Sequence, residues 1–165
     1  MAKHEFDLFH GGSKQLLKYL EKQKKKLETV PERLVRDMTN ILYSNVLSEA
    51  QRIQNNYQMY SAVYTGNVIE RLGVAHMVIR NVTQEATYSE FGTGIEGRYS
   101  PYPKQELQWE YDVNNHGEAG WVYPIGEEFA WTKGQPSNPT YFRASQRLRK
   151  RMNTLINTEM KRVTD

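Results

Sequence analysis

Apolar residues recur at helical spacing in three stretches and alternate in two, and this pattern predicts most of the elements. Leu16, Leu17, Leu20 and Leu27 form a modest first stripe from Lys14, with Ser13 as N-cap after the break at Gly11 and Gly12. Leu34, Met38, Ile41, Leu42, Asn45, Leu47, Ala50 and Ile53 trace a 3.6-residue period, widened by Val35 and Val46, through a second helix over 31–54. Thr29 caps its start, Glu32 follows three positions on as in a capping box, and Pro31 falls in the first turn, which tolerates it. Tyr141, Ala144 or Ser145, Leu148, Met152, Leu155, Ile156, Met160 and Val163 predict a last helix to about residue 160, capped by Asn138 with Pro139 at its first position.

The intervening chain is strand and turn. Residues 6–9 suit a short edge strand or arm, 55–63 a loop, and 65–72 a short helix or turn ended by Gly73. Residues 74–82 alternate as a strand, with Val74, His76 and Val78 sharing a face. At 86–94, one helical turn puts Tyr88 and Phe91 on one side and stops at Gly92, which reaches φ > 0 without strain. Residues 95–120 read as an extended loop or irregular hairpin. Two strands, 120–124 and 127–132, then turn about Ile125 and Gly126, with Pro124 confining the first to an edge or a strand end. The fold class expected is α+β: a small antiparallel sheet packed with a long N-terminal helical region and a C-terminal helix. A single domain over 1–165 is expected, with a helical region 1–54, sheet and aromatic loop 62–131, and terminal helix 138–162.

Composition narrows the classes of function. The 165 residues are only 38% hydrophobic, with a mean hydropathy of −0.77. No run approaches the ~20 apolar residues of a membrane span, and no membrane partner is expected. The first residues lack an apolar signal core, so the chain is read as unsecreted by the usual route. With no cysteine there is neither disulfide nor thiolate chemistry. The net charge of +3 is segregated: residues 1–83 carry 12 basic against 8 acidic residues, 84–131 carry 2 against 9, and 132–165 carry 8 against 2. Such a basic–acidic–basic chain suits head-to-tail contact with its own copies; solvated helix faces and acidic loops are the plainer reading. The lysines at 22, 24, 25 and 26 read first as a solvated helix end.

No constellation for catalysis or cofactor binding emerges. The histidines at 4, 10, 76 and 116 have no ligand spacing, so neither metal nor cofactor is expected. There is no G-x-S-x-G, and Gly92-Thr93-Gly94 lacks the rest of a phosphate-cradling loop. The tryptophans and tyrosines between Tyr99 and Trp131 either form a stacking platform or cover a small sheet poor in aliphatic residues. Glu90, between Ser89 and Phe91, reads as a catalytic acid, a metal ligand, or a brace accepting backbone N–H bonds. The absence of partner residues favours the brace, bonded by the turn or by a basic residue of the last helix.

Tyr88-Ser89-Glu90-Phe91-Gly92-Thr93-Gly94, then Trp131-Thr132-Lys133-Gly134-Gln135-Pro136-Ser137-Asn138-Pro139 before an aromatic-led helix, resembles the tail-completion (neck) family of long-tailed bacteriophages. Thr65-Gly66-Asn67-Val68 is similar to a segment that precedes that family's central strand. Glu85, Ser89, Arg71 and Ser137 depart from its usual residues, and Tyr141-Phe142-Arg143 lies one residue further from Pro139. The resemblance implies a non-enzymatic virion protein made in the host cytoplasm. It would join tail to head connector as a ring subunit, touching its own copies and neighbouring neck, connector and tail proteins, with genomic DNA passing through the lumen. Tyr88, Glu90, Phe91, Gly92, Gly94, Pro139, Tyr141, Phe142 and Arg143 are then the structural or interface candidates. An aromatic-lined binding module for glycan or another ligand is the alternative.

Overall fold

The computed structural model describes residues 12–52, 64–65, 69–71, 74–76, 79–80, 83–113, 115–116 and 119–164. In order these form α1 (Gly12–Glu28), α2 (Val30–Gln51), β1 (Tyr64–Thr65), β2 (Ile69–Arg71), β3 (Val74–His76) and β4 (Ile79–Arg80). There follow α3 (Gln84–Phe91), α4 (Gly94–Tyr99), a 3-10 turn (Gln105–Leu107), β5 (Trp121–Ile125), β6 (Glu128–Thr132), β7 (Gly134–Gln135) and α5 (Thr140–Thr164). The fold is α+β and mostly helical, with a long N-terminal helical region, a two-stranded antiparallel hairpin and a C-terminal helix. Residues 6–9, all of 55–63 and Ile53 of the second stripe lie outside the described residues.

The chain forms two compact units: Met1–Tyr43, Thr65–Ile79 and Arg147–Asp165 in one, Ser44–Tyr64 and Arg80–Gln146 in the other. In the first, Thr29 alone separates α1 from α2. Its hydroxyl donates back to the Lys26 carbonyl at 2.9 Å, where α1 ends with unpaired acceptors. The expected capping box is therefore not made. Glu32 instead accepts from Arg36 one turn on, at 2.8 Å. The helix also begins at Gly12, which leaves Ser13 inside it rather than as its cap.

Val30 and Val163 are buried in this unit. Lys26 donates to the Val163 carbonyl at 3.2 Å, so one member of the lysine run satisfies a terminal acceptor of α5 instead of facing water. Two further expectations are corrected. The segment expected as helix or turn at 65–72 contributes strand at Ile69–Arg71, where β-branched Ile69 faces His76 and Arg71 faces Val74 in an antiparallel ladder. The strand expected over 74–82 contains two separately paired pieces, β3 on β2 and β4 on β1.

In the second unit Val46 and Ala50 of α2, Ala86 of α3 and Ala144 of α5 are buried. The hairpin pairs Trp121 with Thr132, Tyr123 with Ala130 and Ile125 with Glu128, turning at Gly126 as the sequence predicts. The 95–120 stretch is more structured than expected, since α4 and the 3-10 turn interrupt it. The Gly94 N–H donates to the Tyr111 carbonyl at 2.7 Å, bringing this loop back onto its own start.

The apolar stripe of α5 is also corrected. Met152 and Met160 are exposed, whereas Glu159 is 2% exposed and lies on the buried track between Leu155 and Val163. Arg33 reaches its carboxylate at 3.0 Å and Arg162 pairs with its other oxygen. Two cations make that burial tolerable.

Candidate functional site

Helix α3 is placed by its two ends. The Thr83 hydroxyl accepts the Ala86 N–H at 3.3 Å. At the other end Gly92 takes φ +81° and returns its N–H to the Tyr88 carbonyl at 2.8 Å. The chain then meets the segment before α5: Thr93 bridges Gln135, and Gly94 bridges Gly134. At Gly134, with φ +102°, a Cβ would stand 1.9 Å from the Thr93 carbonyl oxygen. Gly134→Ala is therefore expected to cost about 1–3 kcal/mol through backbone strain and overlap, read as a lowered midpoint in urea unfolding.

Glu90 closes the corner. It is 5% exposed, and both carboxylate oxygens are engaged: Oε2 accepts the Tyr141 N–H at 2.9 Å and Oε1 the Phe142 N–H at 3.0 Å. A helix begins with N–H groups that have no partner within it, and its dipole favours an anion there. The side chain at the end of α3 is thus the cap of α5. Nearby, the Ser137 hydroxyl donates to the Glu90 carbonyl at 2.7 Å and the Asn138 N–H to the Ser89 carbonyl at 2.7 Å. The expected capping by Asn138 is corrected, because its Oδ1 accepts from Arg143 Nη2 instead. Pro139 precedes the helix, and its carbonyl accepts the Arg143 N–H at 3.0 Å.

Burial pushes the Glu90 carboxyl above its ordinary 4.5, while the N–H groups of Tyr141, Phe142 and Thr140 and the Arg143 charge pull it part of the way back. The folded chain then holds this proton more tightly than the unfolded chain. Glu90's contribution to stability is accordingly fully present below pH 4.5 and lost as pH rises through its folded pKa. Subtracting the stability–pH curve of Glu90→Gln from that of the wild type should leave a falling component just above pH 4.5. A component rising with pH there would contradict it.

Phe91 anchors the corner through its ring. It stacks on Trp109 at 4.8 Å and meets Tyr102 at 4.6 Å, and Tyr102 in turn packs edge-on to Phe142 at 5.7 Å. Trp109 Nε1 donates to the Gly92 carbonyl at 2.8 Å, so its indole is apolar packing and backbone cap together. Burial, then the Glu90 charge, raises the Tyr102 phenol. A cavity of about 280 Å³ lies beside these rings, lined by Arg98, Tyr102, Lys104 and Trp109 among others; Glu90 does not line it. The aromatic residues therefore split into two groups. Tyr102 and Trp109 pack the corner, while Phe129 and Trp131 stand exposed on the hairpin.

The structure brings together Glu90, Phe91, Gly92, Gly94, Tyr141, Phe142 and Arg143, with Tyr88 supplying a carbonyl and Pro139 the first helical acceptor. Sequence reasoning missed Glu49, which is 2% exposed on α2. Arg143 Nε contacts it at 2.9 Å and Arg52 Nη1 at 3.5 Å. Its signal was a carboxylate among the apolar positions Val46, Leu47 and Ala50. Arg143 thus serves the buried carboxylate of α2 and the field at the Glu90 cap together. No group of three or more potential metal ligands occurs among the described residues. No family model matches the chain, and no curated protein or solved structure matches it significantly.

Proposed function

We propose that the chain is a structural subunit of a phage neck, completing the tail and joining it to the head connector in a ring of copies around the DNA channel. One observation carries this reading: the two segments that resemble the tail-completion family meet in a single hydrogen-bonded corner. Residues 88–94 hold residues 134–142 through the Glu90 carboxylate, the Ser89 and Glu90 carbonyls and the bridges at Thr93 and Gly94. Such a motif pair maintains a fold. Glu90 has both oxygens bound to backbone N–H groups, which leaves it poorly placed for acid–base work. In this proposal the protein is non-enzymatic, located in the virion, and in contact with its own copies and with neighbouring neck, connector and tail proteins.

Antibody labelling of purified particles tests this. Label is expected at the head–tail junction, and particles assembled without the protein should leave heads and tails unjoined. Particles that lack the protein yet join normally would overturn the reading. The open aromatic cavity favours a second reading, a small ligand-binding module, which requires Trp fluorescence to respond to added oligosaccharide.

A further inference from the structure

The cavity beside the corner is lined by one stretch of chain, from Arg98 to Tyr111, within the second unit. Its walls are held in place by backbone contacts. Trp109 stacks on Phe91 and donates to the Gly92 carbonyl, and the Tyr111 carbonyl accepts the Gly94 N–H. A Cβ on Gly97 would stand 2.9 Å from Tyr111 Cδ1, so that ring lies directly on the α4 backbone. Between these anchors Gln108 takes φ +48° and ψ +49°, a left-handed conformation uncommon outside glycine. The cavity is therefore shaped by the fold.

Its chemistry differs from that of its surroundings. Segment 84–131 carries 9 acidic residues and 2 basic ones. Those two, Arg98 and Lys104, both line the cavity, whereas no carboxylate among the described residues does. Beside them stand the rings of Tyr102, Trp109 and Tyr111 and the amides of Gln105 and Gln108. Gathering both cations of an acidic segment on one aromatic wall makes a site for a flat, anionic ligand.

Each group narrows the ligand further. A guanidinium with an ammonium suits a phosphate. The rings offer faces on which a heterocyclic base stacks. The Trp109 N–H is already taken by the Gly92 carbonyl, so the indole contributes its face and no polar contact. A glutamine amide presents a donor beside an acceptor, which matches the N6 and N7 edge of adenine. A volume of about 280 Å³ lies near the small end of ligand pockets and suits one such unit. Glu106 and Glu110, adjacent in sequence to the wall, oppose the further phosphates of a nucleic-acid strand.

We infer that the cavity binds a free adenine mononucleotide. Arg98 and Lys104 hold its phosphate, the aromatic wall stacks its base, and the glutamine amides meet the base edge. The inference shares with the second reading above only that this cavity takes a ligand, and it does not depend on the neck reading.

Calorimetric titration of the full chain with adenosine monophosphate, adenosine, inorganic phosphate and an oligoadenylate bearing a terminal phosphate tests it. The mononucleotide is expected to bind at least about tenfold more tightly than adenosine or phosphate, because it engages both halves of the site. Lys104 is exposed, so Lys104→Glu should melt with the wild type. That variant should bind the mononucleotide about tenfold or more weakly and adenosine unchanged. No binding of the mononucleotide at millimolar concentration would overturn the proposal. So would adenosine bound as tightly as its monophosphate, or a mononucleotide bound equally by wild type and Lys104→Glu. Tighter binding of the oligoadenylate would overturn the free nucleotide in favour of a strand end. A Trp fluorescence response to oligosaccharide without mononucleotide binding would give the cavity to a glycan, leaving the second reading standing and this one refuted.

Discussion

Glu90→Ala is expected to lower the unfolding free energy by about 2–4 kcal/mol, which for a chain of this size is a fall in Tm of about 5–15 °C. The substitution removes the acceptor of two backbone N–H groups at once, those of Tyr141 and Phe142, in a site that water reaches poorly. Each lost charge-assisted bond is worth about 1.5–3 kcal/mol. The total is reduced because the carboxylate no longer has to be buried, and that burial is what raises its pKa. Glu90→Gln should lie between Ala and wild type: one amide oxygen still accepts, but the amide nitrogen confronts the second N–H with no lone pair. A protonated carboxyl differs here, since its hydroxyl oxygen keeps a lone pair for the second donor. Thermal unfolding of the three proteins at one pH gives the order directly. If Glu90→Ala melts with the wild type, the cap is not supporting the helix.

Arg143→Met is expected to cost about 3 kcal/mol, toward the lower end for breaking a buried ion pair because Arg143 is itself 38% exposed. Glu49 would keep its buried position and lose its nearer cation, retaining Arg52 at 3.5 Å on a largely exposed side chain. Replacing both Glu49 and Arg143 by Met should cost less than replacing Arg143 alone, because no buried charge is then left behind. Urea unfolding of the two single variants and the double variant tests this non-additivity. A double variant as unstable as the sum of the singles would show that the two side chains are not coupled and would overturn this expectation. Glu159, between Arg33 and Arg162, follows the same logic in the other unit.

The helices and the hairpin were legible because their causes are local. Leu34, Met38, Ile41 and Ala50 repeat at the helical period, and the turn at Gly126 separates two runs rich in aromatic and β-branched residues. The end of α3 was equally plain, since Gly92 can take a backbone conformation that other residues avoid. What the sequence hid are contacts between distant residues. The partners of Glu90 lie 51 and 52 positions away, and Glu49 and Arg143 are 94 apart. No spacing rule reaches so far, so Asn138 looked like the cap because it is the nearest residue of a capping type. Thr29 misled in the opposite way. It was read only as the start of α2, while the end of α1, one residue earlier, offered its hydroxyl a carbonyl. Glu159 and Met160 exchanged places for a related reason: hydrophobicity ranks the Met as core, and only the two arginines make the Glu buriable.

The cap on α5 also carries information about time. Helix segments form in about a microsecond from local contacts, but the first turn of this helix is completed by a carboxylate 51 residues upstream. Closing a loop of that length costs chain entropy that only the joint formation of the corner's contacts offsets. The amide protons of Tyr141 and Phe142 therefore become sheltered from exchange with solvent only when α3 has docked, later than those in the middle of the same helix. Within one continuous helix, the two ends of the folding process are recorded a few residues apart.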